Sequence, residues 1–275
     1  MDVDSGGVRI HVEVSGPDDG PPVVLLHGFP DRGRLWDRQA AALARAGYRV
    51  IVPDQRGYGR SDKPAEVGAY GLVSVAADVG AVLDALGAPR AHLVGHDWGA
   101  AVAWVVASLA PDRVDHLVTL SVGHPESFGA AGFEQREKSW YMLLFQFEGI
   151  AERWLSAHDW ANFRSWARHP DADAVIRDLQ ADGSLTPGLN WYRANVHPRT
   201  LVEPPLGLPA VQAPTLGVWS SGDFALTERQ MTGSQAHVAG PWRYERIEGP
   251  GHWMQAEAPE AVNRLLLEFL PRPQA

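Results

Sequence analysis

The stretch that most restricts this chain is Gly95-His96-Asp97-Trp98-Gly99. A short apolar run, Ala91-His92-Leu93-Val94, leads into it, and an Ala-rich run of helical character from Ala100 to Val106 leads out. This predicts a strand, a sharp turn and a helix in direct succession. Glycines at both ends of the turn lack a Cβ, so the chain can reverse tightly and the helix can lie close to the strand. Asp97 is then held in a strained conformation with its carboxylate pushed out of the strand end. A carboxylate in that place suits attack on a saturated carbon bearing a leaving group, which forms an ester that water can cleave at the carbonyl. A serine would suit acyl transfer, and against the same carbon would leave an inert ether. Taken alone, an Asp between glycines also reads as an ordinary turn residue.

The remaining sequence repeats the same texture. Val23-Val24-Leu25-Leu26 and Tyr48-Arg49-Val50-Ile51-Val52 are short apolar runs, as is much of 114–122, and helical patterns near 35–46 and 75–86 separate them. Strands that are apolar throughout are buried on both faces, and their alternation with helices predicts a mostly parallel sheet covered on both sides. Val8, Ile10, Val12 and Val14 alternate with polar residues, which predicts a half-exposed antiparallel edge strand. Ligands bind at the carboxyl ends of parallel strands. His27 to Pro30, Asp97 and Gly123-His124-Pro125 all fall at such ends and are expected to face one crevice.

After Pro125 the β-branched runs stop until about Val211. Trp140, Trp154, Trp160, Trp166 and Trp191 lie on helical stretches there, and Glu203-Pro204-Pro205-Leu206-Gly207-Leu208-Pro209 reads as a Pro-rich return. The expected division is a core formed by 1–124 and 211–275, with a helical insertion at 125–210. Sheet texture resumes at 215–219, which runs into Asp223, and at 244–247, which runs into Gly249-Pro250-Gly251-His252. Asp97, Asp223 and His252 therefore each follow a strand. In this order they can serve as nucleophile, orienting acid and base. Each alone would pass as a loop residue. The turn His27-Gly28-Phe29-Pro30 fits an oxyanion site in which the backbone N–H groups of Phe29 and Trp98 hold a tetrahedral intermediate.

Composition narrows the partners. The chain has 275 residues and a net charge of −9, which disfavours nucleic acid and anionic membranes. It has no cysteine, and its eleven histidines show no metal-ligand spacing such as H-E-x-x-H. No run reaches the length of a membrane helix, so a cytoplasmic protein is expected, with a homodimer left open.

These motifs resemble the α/β-hydrolase superfamily, and specifically its epoxide hydrolase branch. The resemblance rests on Gly95 to Gly99, His27 to Pro30, Asp54-Gln55-Arg56-Gly57-Tyr58-Gly59, Gly222-Asp223-Phe224 and Gly251-His252-Trp253. It implies an α/β-hydrolase fold in which 125–210 is a cap carrying two tyrosines that face the nucleophile. Leu189-Asn190-Trp191-Tyr192-Arg193 is similar to the motif of one, and Ser139-Trp140-Tyr141 with Phe145-Gln146-Phe147-Glu148-Gly149 resembles the region of the other. Tyr192 and Tyr141 are thus the implied proton donors to the epoxide oxygen. A phenol of pKa about 10 can protonate an alkoxide downhill, whereas a departing halide needs no proton. The implied partners are an epoxide, apolar or aromatic to suit a pocket with Phe29, Trp98, Trp140 and Trp191, and water; no metal or organic cofactor is expected. Haloalkane dehalogenase is the nearest alternative. Phe29 stands where many of its members carry a second halide donor, and Trp98 stands where fluoroacetate dehalogenases have Arg. A ligand-binding protein on the same fold is the other alternative, and an esterase would need Ser at 97.

Overall fold

The computed structural model describes residues 1–196, 198 and 207–273. Residues 203–206 of the expected Pro-rich return lie outside the described residues. The chain opens with the strands β1 (Asp2–Ser5), β2 (Val8–Ser15) and β3 (Pro22–Leu26), followed by helix α1 (Asp37–Arg45) and strand β4 (Arg49–Pro53). Helix α2 (Leu72–Ala85), strand β5 (Ala91–His96), helix α3 (Trp98–Leu109) and strand β6 (Val114–Leu120) come next. Among the described residues six α-helices then follow without a strand: α4 (Pro125–Ala130), α5 (Phe133–Lys138), α6 (Trp140–Leu144), α7 (Ile150–Ala167), α8 (Ala172–Asp182) and α9 (Leu185–Asn195). Strand β7 (Thr215–Ser220), helix α10 (Glu228–Thr232), strand β8 (Trp242–Ile247), and helices α11 (Met254–Glu257) and α12 (Pro259–Phe269) complete it.

The strands form one sheet in the order β1-β2-β4-β3-β5-β6-β7-β8. Pairings from β4 to β8 are parallel, while β1 and β2 are antiparallel to their neighbours. Pleating sends alternate side chains to opposite faces. Val23, Leu25, Val94 and Val118 pack with Leu43 of α1 and Val262 and Leu266 of α12. Val24, Leu26, Leu93 and Leu117 pack on the other face with Val79 of α2 and Val102 and Val106 of α3.

The expected edge strand at Val8–Val14 is antiparallel but is not the edge. Gly6 and Gly7 adopt φ of 62° and 86°, which only glycine accepts readily, and turn the chain so that Asp2–Ser5 pairs outside it.

Two features of this topology place the site. First, β4 and β5 flank β3, so the chain direction across the sheet reverses between β3 and β5. The loops after those two strands diverge and leave a crevice at their carboxyl ends. Second, β6 and β7 are neighbours in the sheet, so all of α4 to α9 is an excursion from it. Within α7 the helix breaks at His158, Asp159 and Trp160, each left-handed. Among the described residues no helix is long and apolar enough to cross a membrane.

Candidate active site

Asp97 lies between β5 and α3 with φ 52° and ψ −124°, outside the helical and strand regions. The glycines around it are required by close approach. A Cβ on Gly95 would strike the carbonyl oxygen of Gly99, and one on Gly99 would strike that of Leu26. The helix therefore starts directly against β3, and Asp97 is buried at its N-terminus, where the helix dipole favours negative charge. Its Oδ1 accepts a hydrogen bond from the Phe29 N–H at 2.8 Å. A Cβ on Gly28 would collide with Asp97 Oδ1 and lie 2.7 Å from Trp98 N, so the carboxylate and the Trp98 amide share one niche over Gly28. His27 is structural here: its Nε2 accepts from the Gln55 N–H at 2.9 Å and ties the β3 loop to the β4 loop.

His252 and Asp223 follow β8 and β7. His252 Nδ1 is 2.9 Å from Asp223 Oδ2, and its Nε2 is 3.6 Å from Asp97 Oδ2. The other oxygen of Asp223 accepts from the N–H groups of Ala225 (2.8 Å) and Leu226 (2.9 Å). All three side chains are buried. Burial alone would lower the pKa of His252, but the flanking Asp223 and Asp97 carboxylates raise it to about 10. Burial would raise that of Asp223, and His252 with the two N–H groups holds it below the usual value. The imidazole is thus a cation between two anions. The carbonyl of His252 accepts from His96 Nε2 (2.9 Å) and Ser121 Oγ (3.1 Å), which fixes the loop backbone.

Tyr141 on α6 and Tyr192 on α9 come from the excursion and are both buried, with rings 6.0 Å apart. Burial, then the Asp97 charge, pushes both phenols well above their ordinary pKa, so both remain protonated donors at neutral pH. Their helices are tied together. Gln146 Nε2 donates to the carbonyls of Met142 and Tyr192, and Arg193 donates to the Phe145 carbonyl and the Glu152 carboxylate. Asn195 tethers α9 to the core through Leu72 N–H and the Tyr70 carbonyl.

The structure thus brings together Asp97, Asp223, His252, Tyr141, Tyr192, Phe29 and Trp98. Phe29 packs edge-on against Tyr192 at 5.6 Å and Trp98 does so at 5.0 Å. Trp191 is fully buried behind Trp98, with its indole N–H donated to the Arg56 carbonyl. Two expectations are corrected. Trp140 is 49% exposed and packs on Trp154, because it sits one residue around the helix from the buried Tyr141. His124 does not join the crevice: it caps α4 and stacks on His237 at 4.2 Å. Phe145, Trp166 and Phe224 complete the aromatic wall. The sequence places Phe145 and Phe224 in motifs and Trp166 in the tryptophan-rich stretch, but assigns none of them to the pocket.

Burial, helped by neighbouring histidines, pushes His92, His96 and His124 down to about 4. Unfolded histidines take up protons near pH 6.5, so between pH 6.5 and 4 the unfolded chain binds more protons and stability falls with pH. The expected result is a Tm roughly 5–10 °C lower at pH 4.5 than at pH 7, read by thermal melts. A Tm unchanged over that window would contradict the burial of these rings as neutral groups.

Comparison with known proteins agrees with this fold. Residues 21–259 match the α/β-hydrolase-fold family. The chain is 34% identical to epoxide hydrolase A of Mycobacterium tuberculosis, over 98% of this chain and 96% of that protein. It is 32% identical to the AB hydrolase superfamily protein YfhM of Bacillus subtilis, over 98% and 96%. The crystal structure of epoxide hydrolase A from Mycobacterium thermoresistibile superposes with a TM-score of 0.81 at 31% identity, covering 100% of this chain and 98% of that one. The chain belongs to the α/β-hydrolase superfamily, in its epoxide hydrolase branch.

Proposed function

We propose that the protein hydrolyses an apolar or aromatic epoxide to a vicinal diol through an ester on Asp97. The observation that carries this reading is the pair of protonated, buried phenols, Tyr141 and Tyr192, set against the Asp97 carboxylate. In the first step Asp97 Oδ2 attacks a ring carbon. The ring C–O bond breaks, and one tyrosine gives its proton to the departing oxygen. Oδ1, held by Phe29 N–H, becomes the ester carbonyl oxygen. Alkylation removes the negative charge from Asp97, so His252 loses one of the two anions that hold its proton. That proton restores the phenolate to a phenol and leaves His252 neutral. In the second step His252 takes a proton from water, which attacks the ester carbonyl, and Phe29 and Trp98 N–H groups hold the oxyanion. Collapse expels the ester oxygen, which takes the proton of the newly added hydroxyl; the diol leaves, Asp97 returns to its anion and His252 remains the imidazolium. The protons balance over the cycle. In this reading 125–210 acts as a cap: it supplies the acids while the sheet supplies the nucleophile and base.

A single turnover in ¹⁸O-water tests the reading. The label is expected in the Asp97 carboxylate and not in the first diol released; label in that diol would indicate direct attack by water. Tyr141→Phe and Tyr192→Phe are each expected to slow alkylation by about 10²–10³, the usual effect of removing one well-placed donor. Rapid-mixing of enzyme with excess epoxide measures this, and unchanged alkylation in both variants would remove the role assigned to the phenols. The dehalogenase reading has one observation in its favour, since the Trp98 indole N–H is buried without a partner among the described residues. Chloride release from a 1-chloroalkane, with no diol from epoxides, would establish it instead.

A further inference from the structure

One buried acid outside these residues joins the parts of the site. Asp31 follows Phe29-Pro30, and its N–H donates to the Gly28 carbonyl at 2.9 Å, closing the turn that presents Phe29 N–H. Its Oδ2 accepts from the Trp253 indole N–H at 2.8 Å, and Trp253 is the residue after His252. Its Oδ1 lies 3.2 Å from Nε2 of His169, in the turn between α7 and α8. His169 Nδ1 accepts from the Asp171 N–H, so the network assigns the ring hydrogen to Nε2, toward Asp31. The rings of His169 and Trp253 meet edge-on at 4.5 Å, and those of Trp253 and His252 at 4.9 Å. All of these side chains are buried. Beyond Asp31, Arg32 and Arg34 both reach Asp178 of α8, at 2.8 and 2.6 Å.

We infer that Asp31 is a positioning residue for ester hydrolysis, holding the His252-Trp253 segment in register with the Phe29 N–H while fastening both to the α7–α8 turn. This rests on the roles proposed above for Asp97 and His252. The first step uses Asp97 and the phenols; the Phe29 N–H already holds Oδ1 there, but negative charge leaves that oxygen rather than building on it. The second uses His252 Nε2 as base and develops charge on Oδ1 beside Phe29. Both groups needed for the second step sit on the two segments that the Asp31 carboxylate bridges. Asp31 touches neither substrate nor the reacting atoms, so it acts through Trp253 and its own loop.

Asp31→Asn separates this role from simple packing. Asparagine keeps the size but offers one acceptor oxygen and an NH₂, whereas both partners of Asp31 are donors. One partner must lose its acceptor. Ester hydrolysis is expected to slow by about 10- to 100-fold, as for an ångström-scale misplacement, with alkylation within about twofold of the parent. The ester then accumulates at steady state as a mass gain of one whole epoxide, and kcat and KM fall together. Equal slowing of both steps, or of neither, would overturn the inference. Trp253→Phe keeps the ring and removes the N–H. It is expected to show the same split, and adding Asp31→Asn to it should change hydrolysis by no more than about twofold. Independent, multiplying effects would overturn the coupling, and this variant serves if Asp31→Asn does not fold. If the parent enzyme forms no ester with any epoxide, the reading of Asp97 falls and the inference with it. If the parent forms the ester and Asp31→Asn hydrolyses it normally, only the inference falls.

Discussion

Asp97→Ala is expected to abolish turnover, with kcat lower by about 10⁶, the scale seen when a catalytic nucleophile is removed. The reason is that the described residues of the site offer no substitute. Asp223 lies behind His252, with one oxygen on the imidazole and the other on two N–H groups. Asp31 is occupied by Trp253 and faces His169. Neither can turn toward a substrate without breaking a buried network. The variant keeps Tyr141, Tyr192 and His252, so any direct attack by water on a bound epoxide would survive in it. Diol formation compared with buffer blanks, together with intact mass after exposure to an aryl epoxide, checks the expectation. Residual turnover above about one part in a thousand would mean that water attacks without an ester, because losing the nucleophile of an ester mechanism costs far more than that.

His252→Gln is expected to stop the cycle halfway. Glutamine is preferred to alanine for a physical reason. Removing the imidazole outright would leave the Asp223 carboxylate buried beside an empty space, at a cost of about 3–5 kcal/mol for an uncompensated charge. The amide can still donate to Asp223 but cannot take a proton from water. Alkylation is expected to proceed and hydrolysis to slow by at least about 10⁴. The products are one equivalent of enzyme carrying the mass of one intact epoxide, located on the peptide containing Asp97, and no further turnover. Continued multiple turnover would remove His252 from the role of base. An adduct carrying only an alkyl group, formed from a chloroalkane and not from an epoxide, would assign the site to dehalogenation.

Much of this site was legible because its physics is local. Strands buried on both faces read as unbroken apolar runs, so β3, β4, β5 and β6 stand out with the residues that terminate them. Glycines forced by close approach mark the turn around Asp97. The edge strand β1 was not legible, since only Val3 of its four residues is buried and the pattern is too short to carry a period. Trp140 and Tyr141 are neighbours on a five-residue helix, and so short a segment does not reveal which of them faces inward. The Asp31-His169-Trp253 contact was invisible for a different reason. Its members are far apart in sequence, and each alone looks like a loop residue. Only the docking of the α7–α8 turn onto two core loops brings them together.

The backbone of Asp97 carries a thermodynamic consequence. A non-glycine residue at φ 52° and ψ −124° sits about 1–3 kcal/mol above a relaxed conformation. Relaxation is blocked by the carbonyls packed against Gly95 and Gly99. The energy is therefore supplied by the hydrophobic layers on the two faces of β5, one of which includes α3. Selection for thermal stability alone would favour glycine at position 97 and lose the carboxylate, so function and stability pull this residue in opposite directions.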